Sequence, residues 1–308
     1  MTTTRIITHN GIFHADEVFA CAILKMALER EVEIIRTRNL DLFQPYDILV
    51  DVGGRYDPNL YEYDHHQRGF NVTHEHPYQS VKMASAGLIW KDYGHGVIAQ
   101  RMGLNSFQDM DDVEEVYNAV MFGLILTVDA TDNGQLMGSI TVDEQTTVKP
   151  FTISHAISTL NALGEAGFDV ALQMATQVLE AHIQGEIKKA RGAAKVREAY
   201  AQAKNGIMVL EEFTRWFEIL DKLNRDQQVK LVVFPDITGD WRCQTVKGPN
   251  KKDLHPLPEA WAGLDSDDLA LVTGLPDVTF CHRGRFICGA KSYHTAMKMA
   301  QMALAESH

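Results

Sequence analysis

Three short strand-like runs near the start of the chain each end beside a polar side chain that can bind a metal or a proton. His9 follows the first run directly, Asp51 lies near the end of the second, and Asp64 follows the third. Side chains that follow neighbouring strands of a parallel sheet meet at one edge of that sheet. This spacing therefore predicts one polar cluster at the carboxyl edge of a parallel sheet. The three runs are Arg5–Thr8, Asp47–Val52 and Tyr61–Tyr63.

Helical hydrophobic patterns alternate with these runs and with a further strand-like run at Val32–Ile35. The first helix is predicted over Asp16–Arg30, with apolar residues spaced to line one face. Strands that alternate with helices imply an α/β fold, with a parallel sheet and flanking helices. Further helices are predicted at roughly 82–93, 113–130, 153–163 and 168–204.

The sequence pattern changes after Asn205 and Gly206, which are residues typical of a helix C-terminus. Short strand-like runs then follow one another between Pro and Gly turns, and a helix is predicted over Ser292–Ala305. We therefore predict two domains, 1–205 and 206–308, the second a smaller α+β domain. The strands predicted in the second domain are Ile207–Leu210, Lys230–Phe234, Trp241–Val246 and Val278–Phe280.

Composition limits the class of protein. Hydrophobic residues make up 45% of the 308 residues and charged residues 23%, which is typical of a globular chain. The sequence contains no run of about 18 apolar residues, so no membrane span is predicted. The N-terminus lacks a leader pattern and the four cysteines form no CxxC pair, so we expect a cytoplasmic protein. The net charge of −12 disfavours a polyanionic ligand unless a local basic groove or metal ions offset it.

The segment from His9 to Glu17 contains two imidazoles and two carboxylates within nine residues. Such a mixed nitrogen and oxygen donor set suits Mn²⁺, Fe²⁺ or Zn²⁺ better than Ca²⁺. His14 and Asp16 are close enough in sequence to share one ion. The alternative is a polar loop in which Asp16 caps the following helix.

Carboxylates occur at two further places where burial would be costly. Asp51 lies inside a nearly continuous apolar run, where an unpaired charge is unfavourable unless a cation or a hydrogen bond offsets it. Asp129 and Asp132 follow a strongly apolar helix, whose C-terminal dipole disfavours negative charge. The alternatives are a turn-capping role for Asp51 and simple solvent exposure for the other two.

The triplet of Asp64, His65 and His66 supplies a metal ligand, a group that orients a ligand, and a group that can meet a phosphate. A single triplet of this kind usually lies on a surface, so its meaning depends on the other motifs. In this order the motifs resemble the DHH phosphoesterase superfamily and, within it, the Myg family. The resemblance rests on residues 8–17, 51–54, 63–70, 85–89, 93–95, 128–134, 256–264 and 274–300.

The resemblance implies an N-terminal DHH-type domain that binds two divalent cations, with Mn²⁺ favoured and Mg²⁺ as the alternative. Asp51 would bridge the two ions, Asp132 could replace Asp129 as a ligand, and His14 stands where relatives in the superfamily usually have Asp. The catalytic group would be Asp51, Asp64 and His66, with His66 facing the scissile phosphate. One ion would be held by His9, His14 and Asp51, and the other by Asp16, Asp51, His65 and Asp129.

The same resemblance implies that the C-terminal domain binds the substrate. Cys288 and Ala290 stand where the family usually has Gly and His, so other residues would compensate. The implied activity is 3′→5′ exonuclease action on RNA or short oligonucleotides. The alternatives are a phosphohydrolase for pyrophosphate or nucleotides, and a metal-stabilised binding protein; a homo-oligomer is left open. The implied substrate-binding residues are His282, Arg283, Arg285 and Lys291.

Overall fold

The structure is a computed structural model, which describes residues 3–28, 30–104, 110–136, 138, 140–142 and 146–306. The chain divides into two compact units, Met1–Ile187 and Lys188–His308. This division lies within one long helix, whereas the predicted boundary at 205 follows the end of that helix. The predicted boundary therefore stays a prediction. No helix within the described ranges is long and apolar enough to cross a membrane.

The first unit contains a sheet whose strand order, within the described residues, is β2-β1-β3-β5-β4. The pairs β1–β2, β1–β3 and β3–β5 are parallel, and β4 pairs antiparallel with β5 at one edge. The predicted α/β character of this unit is thereby confirmed, and the carboxyl ends of β1, β3 and β5 share one edge. The strands are β1 Thr4–Thr8, β2 Val32–Arg36, β3 Ile48–Val50, β4 Tyr56–Asp57 and β5 Glu62–Tyr63.

Helix α1 (Ala15–Leu28) packs against α2 (Ser85–Met102) beside this sheet. The second helix runs past the predicted end at 93 because Gly94 is a packing residue there and not a helix stop. A Cβ at Gly94 would lie 2.8 Å from the ring of Trp90 and 2.9 Å from that of Tyr117. The glycine thus allows two aromatic rings to pack against the helix.

The next helical segment is not a regular α-helix. Helix α3 (Met110–Val120) continues through a π-helical turn, Met121–Ile125, into α4 (Leu126–Asp132). Such π turns are rare and are found frequently at functional sites. Here the turn immediately precedes the helix that carries Asp129 and Asp132. The remaining elements of this unit are β6 Ile140–Thr141, β7 Thr147–Val148, α5 Ile153–Thr159 and the first part of α6 Ala166–Ala201.

The second unit is built on a sheet with the described strand order β11-β12-β10-β9-β8, in which β8 and β9 are the parallel pair. The predicted strands are present within a residue of their expected ends, but β12 was not predicted because its sequence, with Cys, Gly and Ala, is short and weakly apolar. Helix α9 packs on this sheet. The elements are β8 Ile207–Val209, α7 Phe217–Leu223, β9 Leu231–Pro235, β10 Trp241–Thr245, α8 Ser266–Thr273, β11 Val278–Cys281, β12 Ile287–Ala290 and α9 Tyr293–Ala305.

Candidate metal centre

The loop between β1 and α1 brings His9 and Glu17 into direct contact. His9 Nε2 lies 3.0 Å from Glu17 Oε1 and 3.3 Å from Asp51 Oδ2. The Glu17 carboxylate also accepts hydrogen bonds from the backbone N–H of His14, at 2.9 and 3.0 Å. A glutamate in the first helical turn that reaches back to the preceding N–H is half of a capping box. Glu17 therefore sets the start of α1 and lies at the edge of the cluster.

Asp51 lies at the centre of the cluster. It follows β3 with φ 55°, a left-handed conformation that is uncommon outside glycine and costly to hold. Its Oδ1 lies 3.2 Å from both His65 Nε2 and His66 Nδ1, and accepts a hydrogen bond from Ser85 Oγ at 3.2 Å. Although burial would raise the pKa of Asp51, the imidazoles of His65, His66 and His9 hold it well below its usual range. Asp51 is thus ionised, with one carboxylate oxygen beside His9 and the other beside His65 and His66.

The two histidines of the triplet point to different places. The His65 side chain is 7% exposed and that of His66 is 63% exposed. Asp64 accepts hydrogen bonds from the backbone N–H of His66 at 2.9 Å and from that of Gly54 at 2.6 Å, and His66 Nδ1 lies 3.0 Å from its Oδ1. Asp64 therefore orients His66 toward the solvent side, while His65 lies among the carboxylates.

Asp132 reaches this cluster and Asp129 does not, in contrast to the ligand set that the resemblance implied. Asp132 Oδ2 lies 3.2 Å from His65 Nε2. Asp129 is fully buried three residues earlier, where Oδ2 lies 2.7 Å from His74 Nε2 and Oδ1 accepts a hydrogen bond from the Gly87 N–H at 3.0 Å. Both oxygens of Asp129 are thus occupied within the fold. The alternative that the sequence left open, Asp132, is the one that meets the other candidate ligands.

Asp16 has buried polar atoms that no other described side chain satisfies. Both of its carboxylate oxygens are buried and have no hydrogen-bond partner among the described residues. Burial raises the pKa of Asp16 well above its usual value, and so do the nearby carboxylates of Asp51, Asp132 and Glu17. His65 Nε2, 3.7 Å from Asp16 Oδ2, is likewise buried without a well-aligned hydrogen bond. Buried polar atoms without partners are costly, and a cation at this place would satisfy them.

The donor atoms fall into overlapping groups that are compact enough for metal ions. Within each group, one imidazole nitrogen or carboxylate oxygen per residue lies within 4.8 Å of the others. Nitrogen and oxygen donors of this kind suit borderline divalent ions. The residue that the sequence-based set lacked is Glu17, although it belongs to the same nine-residue segment. The groups are His9, His14 and Glu17; His14, Asp16 and Asp132; Asp51, His65 and His66; and Asp16, Glu17 and Asp51.

Two clefts adjoin the cluster, and His14 and His66 line both. The first, of about 470 Å³, is lined by Arg38 and by the backbone turn at Gly53 and Gly54. It is called the arginine cleft below. The second, of about 570 Å³, lies beside α4 and α5 and is called the hydroxyl cleft, because its other side chains include Thr131, Asn133, Ser154, His155 and Ser158.

The predicted substrate-binding residues lie in the turn between β11 and β12 and just after β12. His282 Nδ1 accepts a hydrogen bond from the Gly284 N–H at 2.9 Å, and the His282 ring packs on Phe286 at a centroid distance of 4.4 Å. Arg285 has a φ of 56°. Arg283 and Lys291 are exposed. Their role in substrate binding stays a prediction.

Cys288 and Ala290 lie on β12 and are fully buried in the core of the second unit. Cys288 pairs across the sheet with Cys243 on β10 and with Cys281 on β11. These small side chains are therefore packing residues, and neither presents a polar group at the surface.

Comparison with known proteins agrees with these motifs. The family model described as "Uncharacterised protein family (UPF0160)", named for the MYG1 exonuclease, matches residues 5–304. The chain is 34% identical to the MYG1 exonuclease of Homo sapiens, over 99% of this chain and 87% of the human protein. It is also 34% identical to the MYG1 exonuclease of Rattus norvegicus, over 99% of this chain and 86% of that protein. It is 32% identical to the MYG1 protein of Saccharomyces cerevisiae, over 98% of this chain and 96% of the yeast protein. The chain therefore belongs to the MYG1 exonuclease family.

Proposed function

We propose that this protein is a metal-dependent exonuclease that hydrolyses RNA from its 3′ end at a centre of two divalent cations. The relatives named exonuclease in human and rat support the nuclease class. The observation that carries the metal dependence is the pair of buried, unpartnered oxygens on Asp16. They lie among other acidic side chains, and close carboxylates repel one another unless cations or protons offset their charge.

The residues present fit two cations that share Asp51. One ion would be held by His9, His14 and Asp51, with Glu17 beside it. The other would be held by Asp16, Asp51, His65 and Asp132. When bound, two such ions polarise a phosphoryl group and lower the pKa of a bound water molecule to near 7, so that hydroxide is available at neutral pH. Mn²⁺ is the ion we favour, because the donor set mixes imidazole with carboxylate.

His66 would bind the phosphoryl group. Hydrogen bonds to Asp51 and Asp64 raise the pKa of His66 to about 10, so the imidazole is protonated at neutral pH before a metal binds. Both contacts use Nδ1. The remaining nitrogen, Nε2, belongs to a largely exposed ring beside both clefts. An N–H donor held there can stabilise the negative charge that develops on a phosphate oxygen.

The test is a substrate screen with metal-stripped protein. Mn²⁺ or Mg²⁺ is added back, and 5′-labelled RNA, 5′-labelled DNA, pyrophosphate and nucleotides are compared. The proposal expects a ladder of progressively shorter 5′-labelled RNA products, present with Mn²⁺ and absent with chelator. Asp51→Asn serves as the inactive control, because this carboxylate would contact both ions. Turnover of only pyrophosphate or nucleotides would instead make the protein a small-molecule phosphohydrolase. Turnover of no phosphoester would leave a metal-binding protein without this chemistry.

A further inference from the structure

The two clefts beside the cluster differ in the chemistry of their walls. The arginine cleft offers the guanidinium of Arg38 and the backbone of Gly53, while the N–H of Gly54 already donates to Asp64. Cations and backbone N–H groups are the usual partners of phosphate oxygens. The hydroxyl cleft is lined by hydroxyl and amide groups, by imidazoles and by the carboxylate of Asp132, and no Lys or Arg occurs among its described lining residues. The hydroxyl and amide groups of this wall suit sugar hydroxyls and base edges better than phosphates.

Ser154 provides an unsatisfied polar group in the hydroxyl cleft. Its Oγ is buried and has no hydrogen-bond partner among the described residues. A hydroxyl taken from water without a partner is unfavourable, and a ligand hydroxyl would remove that cost. Thr131 and Asn133 line the same cleft, on α4 and just after it. The cleft therefore combines an unused buried hydroxyl with further groups able to bind a sugar.

One member of an aromatic pair lines the same cleft. His155 lines the cleft, and its ring stacks with that of Phe151 at a centroid distance of 6.3 Å and an interplanar angle of 23°. The Phe151 side chain is 74% exposed. Exposed aromatic faces are the usual platforms for unpaired bases.

We propose that the hydroxyl cleft binds the terminal nucleoside of the RNA strand, with its base stacked on Phe151 and His155 and its ribose hydroxyls bound by Ser154. The cleft volume of about 570 Å³ lies in the range of small-molecule sites and accommodates one nucleoside. His66 lines this cleft, so the phosphate of the bound nucleotide would lie beside the carboxylate cluster. This inference rests on the proposed function, because it assigns the subsite of the nucleotide that the exonuclease releases.

The experiment measures equilibrium binding by calorimetry in the presence of Mn²⁺. The probes are adenosine 5′-monophosphate, 2′,3′-dideoxyadenosine 5′-monophosphate and inorganic phosphate. Phe151→Ala should weaken binding of adenosine 5′-monophosphate about 5-fold or more, since a stacked base contributes at least about 1 kcal/mol. Ser154→Ala should weaken it about 2- to 12-fold, as for loss of one neutral hydrogen bond. Neither change should affect inorganic phosphate, and Ser154→Ala should not affect the dideoxy nucleotide.

The matched control is Phe122→Ala. Phe122 is an aromatic residue that is 58% exposed and stacks on Tyr78, and it does not line the hydroxyl cleft. This variant should bind all three probes like the wild type. Thermal unfolding of each variant checks that it is folded. Unchanged nucleotide binding in both Phe151→Ala and Ser154→Ala would overturn the subsite, and so would equal losses for nucleotide and inorganic phosphate.

The outcomes separate this inference from the proposed function. If the wild type cuts RNA but Phe151→Ala and Ser154→Ala keep wild-type KM and nucleotide affinity, the subsite is wrong and the exonuclease stands. If nucleotide binding depends on these residues as stated but no phosphodiester is cut, the subsite stands and the exonuclease is wrong.

Discussion

His74 Nε2 lies 2.7 Å from Oδ2 of Asp129, and both side chains are buried in the first unit. The other oxygen of Asp129 accepts a hydrogen bond from the backbone of Gly87 on α2. This pair therefore ties α4 to α2 and to the segment around His74. Asp132 lies three residues further along α4, so the pair also sets the position of that candidate ligand.

The first prediction concerns the glycine that makes room for Asp129. A Cβ at position 87 would lie 1.8 Å from Asp129 Oδ2, so Gly87→Ala must displace the carboxylate. We expect a loss of about 1–3 kcal/mol in the free energy of unfolding, as for an overpacked core. Gly96→Ala is the control on the same helix, since a Cβ there meets nothing within 4 Å. It should stabilise the protein by roughly 0.5–1 kcal/mol, because alanine is the better helix former. Equal melting temperatures for the two variants would contradict the packing argument.

The second prediction concerns the charge of Asp129. Burial raises its pKa to about 6, although His74 acts in the opposite direction. The folded-state pKa is therefore above the unfolded value of about 3.9. Stability from this group is complete below pH 4 and is lost as the pH rises through 6, by on the order of 3 kcal/mol. Asp129→Asn cannot ionise, so its stability relative to the wild type should increase between pH 4 and 6 and stay constant above. Denaturant unfolding at several pH values measures this difference. A variant that becomes relatively less stable as pH rises would show instead that a charged His74–Asp129 pair stabilises the fold.

The third prediction separates the two aspartates of α4 by metal content. Asp132→Asn should bind less Mn²⁺, because its carboxylate lies beside His65 and within the ligand groups. Asp129→Asn should keep the full metal content, since its oxygens contact His74 and Gly87. Elemental analysis of both folded variants decides between them. Loss of metal in Asp129→Asn alone would restore the ligand set that the family resemblance implied.

The sequence was sufficient to predict a polar cluster at the carboxyl edge of the sheet. It was not sufficient to predict which of Asp129 and Asp132 reaches that cluster. His9 and Asp51 follow buried strands, so their meeting follows from parallel pairing alone. Asp129 and Asp132 lie three residues apart on one helix, and positions with that spacing face nearly the same way. The contact that separates them comes from His74, which is 55 residues distant along the chain. No local pattern contains that information. The position of β12 was missed for a local reason, because its small residues give no strand signal.

The last prediction concerns competition between protons and metal. Burial would lower the pKa of His9, but the carboxylates of Asp51 and Glu17 raise it to about 10. The pKa of His65 is raised to about 9, again against the effect of burial, by Asp132 and Asp51. Both imidazoles are therefore protonated in the metal-free protein at neutral pH. A metal binds only the neutral imidazole and must displace these protons.

A rise in pH has two effects, and both increase the stabilisation that Mn²⁺ provides. Each folded-state pKa is above the unfolded value of about 6.5, so protonated His9 and His65 stabilise the metal-free protein below pH 6.5. That stability is lost as the pH rises through 9 and 10, while affinity for Mn²⁺ increases about tenfold per pH unit for each proton displaced. The rise in melting temperature on adding Mn²⁺ should therefore grow from pH 6.5 to 8.5, since an ion that binds only the folded state stabilises it by a free energy that increases with the logarithm of its affinity. The comparison uses protein stripped with chelator and a fixed free Mn²⁺ concentration at each pH.

Asp51→Asn is the control, because it removes the carboxylate that the two proposed ions share and should show little stabilisation by Mn²⁺ at any pH. A stabilisation that is constant or declines over this range would mean that His9 and His65 do not have to lose protons when the ion binds, and they would then not be ligands.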